Sequence, residues 1–298
     1  MKIECRAPLR IDLAGGWSDI PPFARREGGA VLNVAITQYV TGTVERDGGR
    51  DGEGLRVSYG LDLPAGAGLG SSAALSVAWL ALVHANMGAT IDRPALARDA
   101  CALAALLGIA GGKQDEYAAA VGGINLMRFG GVDGDEVTVE PLELAAPVRE
   151  ELEARLVLCY CGQPRLSGDI HDRVWGAYER GDRAVAATLG ELRDTAVAMA
   201  AALMAGDFDR VTALMDRNWA AQRRLHPSIT NARVEEIFGV ARGSGALAGK
   251  ACGAGGGGCL VFLAEPARVP ALRDALQSAG ARLIDARIDR DGVVVGRI

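Results

Sequence analysis

The feature that most restricts how this chain can fold is Pro64-Ala-Gly-Ala-Gly-Leu-Gly-Ser-Ser-Ala-Ala74. Its closely spaced glycines run directly into Ser71 to Asn86, an apolar segment with hydrophobic residues at helical spacing. Such a loop lets backbone N–H groups converge on an anion, and the helix N-terminus behind it adds about half a positive charge. The segment therefore reads as a phosphate cradle formed by Pro64, Gly66, Gly68, Leu69, Gly70, Ser71, Ser72 and Ala73. The plainer alternative is a glycine-rich turn in which Ser71 or Ser72 caps the helix. A Walker-type loop would need Gly-Lys-Ser/Thr at its end, and a dinucleotide fingerprint would need a preceding strand within a βαβ unit.

The periodicity around the loop predicts its surroundings. Lys2 to Cys5, Ala30 to Ile36, Tyr39 to Val44 and Leu55 to Tyr59 read as strands of a largely antiparallel sheet. Helices are expected over Ser71 to Asn86, over Arg93 to Leu107 and from near Lys113 to just before Gly122-Gly123, followed by strands at Ile124 to Phe129 and Val137 to Val139. The chain turns polar near Pro147 to Glu153 and restarts with a buried strand, Leu156 to Cys161. Helical stretches follow at Asp169 to Tyr178, Ala184 to Met204, Phe208 to Arg224, Asn231 to Arg242 and Val269 to Ser278. Strands are expected at Lys250 to Cys252, Cys259 to Leu263, Arg282 to Ile288 and Val293 to Val295. Strands and helices are segregated rather than alternating, which argues for an α+β fold with a boundary near 150, giving domains 1–150 and 151–298.

Three further segments carry chemistry. Gly249-Lys-Ala-Cys-Gly-Ala-Gly-Gly-Gly-Gly258 joins two strands, and four consecutive glycines are a poor choice for a simple hairpin. Close approach of backbone to a ligand would justify them and marks Gly255 and Gly256 as substrate contacts, with the part of Ala254 left open. Gly111-Gly-Lys-Gln-Asp-Glu-Tyr117 sets an acid, an amide and a lysine together. A carboxylate such as Asp115 can orient or deprotonate a hydroxyl, while Lys113 can meet developing phosphate charge. Asp115 and Glu116 would equally complement the dipole of a helix starting there. The third segment, Arg6 to Pro22, ends a strand in a turn bearing Trp17, Ser18 and Asp19. Polar groups beside an indole suit sugar hydroxyls, although a surface turn locked by two prolines fits the same residues.

Composition narrows the partners. The net charge of −5, without blocks of like charge, offers no footprint for nucleic acid or anionic lipid. No stretch is long and apolar enough for a membrane span, and the start lacks a secretory pattern, so a cytoplasmic protein acting on a small molecule is expected, as monomer or homodimer. Of 32 basic residues only Lys2, Lys113 and Lys250 are lysine, and the last two lie inside glycine-rich motifs, which brings both under suspicion as phosphate ligands. Cys159 and Cys161 share one strand face and read as packing. His84, His171 and His226 have no metal-ligand spacing and read as structural or surface residues.

Taken in order, "RAPLRIDLAGG", "PAGAGLGSSAA", "GGKQDEYAAAVGG" and "GKACGAGGGG" resemble the motifs of the GHMP kinases over nearly the whole chain. The resemblance implies an N-terminal ribosomal protein S5-like domain and a C-terminal ferredoxin-like domain, with the site in the cleft between them. "AGGWSDIPPF" is similar to L-fucokinases, and "GIAGGKQDEYAAAVGGIN" with "RLHPSITN" to D-glycero-D-manno-heptose 7-phosphate kinases, both of which phosphorylate an anomeric hydroxyl. It implies ATP and Mg2+ as cofactors and a sugar or sugar phosphate as acceptor. By the same resemblance, Asp115 is the base or hydroxyl-orienting group, Arg10 sets its ionisation and steadies the transferred phosphate, and Ser72 meets magnesium. Lys113, Gln114, Trp17, Ser18 and Asp19 fall on the sugar side, and Arg165 is a candidate for the sugar or its 7-phosphate. One departure stands out: Leu103 and Ala104 occupy the place of a glutamate that helps hold the metal in relatives. That departure keeps open a non-catalytic sugar- or nucleotide-binding homologue, and the range of acceptors the fold hosts keeps open a kinase of another small alcohol.

Overall fold

The computed structural model describes residues 2–47, 54–61, 63–64, 66–109, 111–131, 135–162 and 168–298. In chain order the first half runs β1 (Lys2–Ala14), α1 (Pro21–Glu27), β2 (Gly29–Asp47), β3 (Gly54–Leu61), α2 (Ser71–Asn86), α3 (Arg93–Leu106), α4 (Gln114–Val121), β4 (Ile124–Gly130) and β5 (Glu136–Pro141). The second runs α5 (Ala146–Arg155), β6 (Leu156–Tyr160), α6 (Gly168–Glu179), α7 (Arg183–Met204), α8 (Phe208–Leu225), α9 (Ala232–Gly243), β7 (Ala246–Ala251), β8 (Cys259–Ala264), α10 (Val269–Ser278), β9 (Arg282–Ile284) and β10 (Val294–Arg297). Among the described residues no helix is long and apolar enough to cross a membrane.

Two antiparallel sheets result. The first has the order β10-β1-β2-β4-β5, with β3 pairing the outer part of β2, and the second has the order β7-β8-β6-β9. With one helical segment after β6 and another after β8, the second sheet has the β-α-β-β-α-β arrangement of ferredoxin-like domains. β1 alternates Ile3 and Cys5 inward against Glu4 and Arg6 outward, and from Ala7 onward is buried throughout. The change follows from its neighbours, because α2, α4, α7 and α8 all pack on this strand. Helix starts follow capping rules: Asp92, Asp182, Asp207 and Asn231 each accept backbone N–H bonds at the heads of α3, α7, α8 and α9.

Several expectations are corrected. Ala30 to Ile36 and Tyr39 to Val44 form one strand, β2, whose pairing with β1 shifts register between Pro8 and Leu9. The polar stretch Pro147 to Glu153 is helical, as α5, and hides only Leu152 fully. β9 ends at Ile284, and Ile288 makes only an isolated bridge to Ile36. Pro21 and Pro22 open α1 rather than lock a surface turn, consistent with proline's fixed φ at a first helical turn. Position 150 falls inside α5, and β10 returns to complete the first sheet. Trp17 and Ile20, from the turn after β1, and Phe23 of α1 are buried in the core of the second sheet beside Val157, Cys159 and Cys161. This crossing of segments seats the turn at 15–19 between the two cores.

Candidate active site

The glycine-rich loop takes the shape its composition requires. Gly66, Gly68 and Gly70 have φ of +76°, +88° and +75°, values that L side chains rarely adopt. Gly70 is the N-cap of α2 and no side chain caps that end, so the first-turn amides keep their donors for an anion. β1 holds the loop from below: Arg10 N–H donates to Leu69 O at 3.0 Å and Arg10 Nη1 donates to Gly68 O at 2.7 Å. The second glycine loop leans on the first, with Cys259 N–H donating to Ala67 O at 2.7 Å.

Asp115 stands in the first turn of α4, facing the loop. Arg10 grips it through two parallel bonds, Nε to Oδ1 at 2.7 Å and Nη2 to Oδ2 at 2.8 Å. Burial alone would lower the pKa of Arg10, but the charges of Asp115 and Asp12 outweigh it and raise it above its ordinary value. Arg10 is thus a permanent cation touching both the acid and the phosphate loop.

A cavity of about 180 Å³ opens over this pair. Gly66, Gly68, Gly70, Ser71, Ser72 and Ala73 line one side. Trp17, Asp19, Gln114, Glu116 and His171 line the other, and Gly253 and Ala254 reach it from the second glycine loop. Asp19 Oδ2 accepts the Gln114 N–H at 3.3 Å, which fixes its carboxyl at the head of α4. Burial, with the nearby charge of Asp115, pushes Asp19 up to about 6 and Glu116 up to about 8. Three wall residues carry a buried polar atom with no hydrogen-bond partner among the described residues: Trp17 Nε1, Gln114 Oε1 and Glu116 Oε2. Trp17 itself is held at φ +85°, edge-on to His171 at 4.9 Å. Among the described residues no cluster of three His, Cys, Asp or Glu side chains is set to hold a metal ion unaided. The hard oxygen donors at the cavity are Ser71 and Ser72 with the three carboxylates.

The "GHMP kinases N terminal domain" matches residues 35–123, which hold the phosphate loop and Asp115, and "GHMP kinases C terminal" matches residues 199–282, which hold the second glycine loop. The chain belongs to the GHMP kinases. It is 28% identical to a D-glycero-alpha-D-manno-heptose 7-phosphate kinase from Campylobacter jejuni, covering 99% of each chain. It is 27% identical to the bifunctional fucokinase/GDP-fucose pyrophosphorylase of Arabidopsis thaliana, over 93% of this chain and 31% of that one. Among solved structures, a D-glycero-D-manno-heptose 1-phosphate kinase from Bacteroides thetaiotaomicron superposes with a TM-score of 0.80 at 26% identity, covering 99% of both chains.

Within this GHMP kinase, several residues stand elsewhere than the motifs implied. Ser18 is fully buried, its Oγ donating to backbone carbonyls and accepting the Ala30 N–H, so it ties the turn together and does not line the cavity. Leu69 points into the first core, and Pro64 only accepts the turn bond from Ala67 N–H. Gly255 and Gly256 pack on backbone, where an added Cβ would fall 2.5 Å from Ile229 O and 2.9 Å from Ser228 O. Lys250 is wholly buried and donates to Asp12 O at 2.8 Å and Asp12 Oδ2 at 2.5 Å, while Asp12 Oδ1 accepts the Gly253 N–H. It positions the second glycine loop and meets no phosphate. Lys113 Nζ donates to Asp135, outside the cavity that holds Asp115, so a catalytic role for it does not fit the geometry. Leu103 and Ala104 are not part of the cavity wall. Arg165 lies outside the described residues. Sequence reasoning missed Glu116 and His171: the first looked like helix-end electrostatics, and the second gains meaning only when α6 lies beside Trp17.

Proposed function

We propose that this chain transfers the γ-phosphoryl group of ATP to the anomeric hydroxyl of a sugar of the heptose 7-phosphate or L-fucose type. The observation that carries the reading is Asp115, held by Arg10 at the end of a glycine-lined phosphate loop, facing a wall of Trp17, Asp19 and Gln114. The acceptor hydroxyl sits at Asp115, which orients it and takes its proton. The loop amides and Arg10 hold the phosphate oxygens, and positioning with charge neutralisation does most of the work in phosphoryl transfer. Unpaired Trp17 Nε1 offers a donor, Gln114 Oε1 an acceptor, and the Glu116 carboxyl, whose neutral form burial favours, can do either, a set suited to a polyhydroxy substrate and a poor match for a greasy alcohol. Magnesium carried by the nucleotide would neutralise phosphate charge; Ser72 is the protein oxygen at the helix mouth suited to it, and such an ion needs few protein ligands. A reaction that draws on ATP fits a cytoplasmic setting.

The absence of a carboxylate at Leu103 and Ala104 favours a second reading, a protein that binds sugar and nucleotide without turnover. ADP release with magnesium and a panel of free sugars and sugar phosphates separates the two. The kinase reading expects Asp115-dependent turnover with at least one sugar; nucleotide binding without turnover across the panel supports the binder.

A further inference from the structure

A second cavity, of about 500 Å³, adjoins the first and shares Ile109, Gly111, Gly112 and Glu116 with it. Helix α3 gives it room, because Ala102, Ala104 and Ala105 end at Cβ. Its rim is cationic. Arg25 comes from α1, Arg98 from α3 and Lys113 from the head of α4, against a single fully charged acid, Asp135. Asp135 accepts from Lys113 Nζ at 2.8 Å and from Arg25 Nη2 at 3.1 Å, which holds both cations at the rim. Arg98 makes no ion pair among the described residues. One buried donor of the wall, Trp175 Nε1, lacks a partner there as well, and the Glu116 side chain in the same wall is only 6% exposed. Burial favours the neutral form of Glu116, so that carboxyl repels an anion less than an ordinary glutamate would.

The two cavities are joined by aromatic rings. Trp17 meets His171 edge-on at 4.9 Å, and His171 stacks on Trp175 at 5.9 Å, so a row of rings runs from the Asp115 cleft to the second cavity. A sugar whose reacting end lies at Asp115 would carry its far end along this row. We infer that the second cavity is the subsite for a phosphate monoester at the end of the acceptor remote from the reacting hydroxyl, bound by Arg98, Lys113, Arg25 and Trp175 Nε1. The inference rests on the sugar-kinase reading and selects within it a phosphorylated sugar over a neutral one such as L-fucose. Guanidinium groups, an ammonium and an indole N–H are donors only, a set matched to phosphate oxygens and of no special use to a methyl group or a free hydroxyl.

Calorimetric titration of the intact protein, with a non-hydrolysable ATP analogue present, compares D-glycero-D-manno-heptose 7-phosphate with the unphosphorylated heptose. The phosphorylated sugar should bind about tenfold or more tightly, as expected for charge-assisted contacts. Arg98→Gln and Lys113→Gln should each reduce that advantage, and the double variant should remove it. Equal binding of the two sugars, or an advantage undiminished in the double variant, overturns the assignment. Inorganic phosphate should compete weakly; competition equal to that of the sugar phosphate would make the cavity a free-anion site and overturn its role as acceptor subsite. Turnover assays on the same samples separate this inference from the kinase reading. Binding of the sugar phosphate without phosphoryl transfer supports the subsite and removes the kinase, whereas transfer to neutral sugars with no phosphate advantage does the reverse.

Discussion

Arg10 presents a flat fork to Asp115, and a lysine in its place would keep the charge but lose one of the two parallel bonds and the contact to Gly68 O. Arg10→Lys is therefore expected to lower kcat by about tenfold to a hundredfold, equivalent to ~1.4–2.7 kcal/mol, with the fold intact by circular dichroism. Among the described residues, Lys250 and Asp12 form the most deeply buried ion pair, at 0% and 1% side-chain exposure. Lys250→Met strands a carboxylate in the core and should cost about 3–5 kcal/mol in urea unfolding, much of it recovered when Asp12→Asn is added. Both lysines inside glycine motifs drew attention in the sequence, but only three-dimensional packing shows that Lys250 faces inward and Lys113 faces Asp135. Glu116 gives a pH prediction. Its folded pKa of about 8 lies above the ordinary carboxyl value of 4.5, so the folded state binds the extra proton and stability falls as pH rises through that window. Asp19, raised to about 6, acts in the same direction at lower pH. Thermal unfolding followed from pH 5 to 8.5 should show a falling Tm that flattens in Glu116→Gln; an unchanged slope in that variant contradicts the assignment.

At the scale of elements, the two glycine loops work as a pair. Gly258 has φ +75°, and a Cβ there would lie 2.6 Å from Ala67 O in the phosphate loop. Gly258→Ala should therefore cost about 1–3 kcal/mol of stability and weaken ATP binding severalfold, read by denaturation and nucleotide titration. The sequence marked this glycine run as a place of close backbone approach, and its partners turn out to be other backbone: Ala67, Ser228 and Ile229. A glycine run records that something comes close without recording what. Helices α2, α7, α8 and α10 were legible almost to the residue: α7 and α8 start at the aspartates that cap them, and α2 and α10 are runs free of internal glycine that keep helical spacing to their ends. α5 was not, since a helix that buries only Leu152 leaves a polar pattern like that of a loop. The long β2 was read as two strands because Thr37 and Gln38 interrupt its alternation at the register shift.

At the scale of the molecule, segments cross between the halves. β10 closes the first sheet, the Trp17 turn plugs the second core, and Lys250 from β7 reaches Asp12 on β1. Interlocked in this way, the protein should unfold in one calorimetric transition, and two resolved transitions would show that the halves are independent. The α+β class and the motif order were readable in the chain because each motif is local. The second cavity was not, since its cations come from α1, α3 and the head of α4 and share no pattern in sequence. If Asp115 directs phosphoryl transfer to a sugar's anomeric oxygen, as proposed, the product itself carries the record. The measurement that tests it most directly is phosphorus–proton correlation NMR of the product made by the wild-type protein and by Asp115→Asn. The expected result is a phosphate coupled to the anomeric proton in the wild type and a loss of about 10²–10⁴ in rate in the variant, with nucleotide affinity kept. Full turnover in Asp115→Asn, or a phosphate coupled to any other sugar proton, would contradict it.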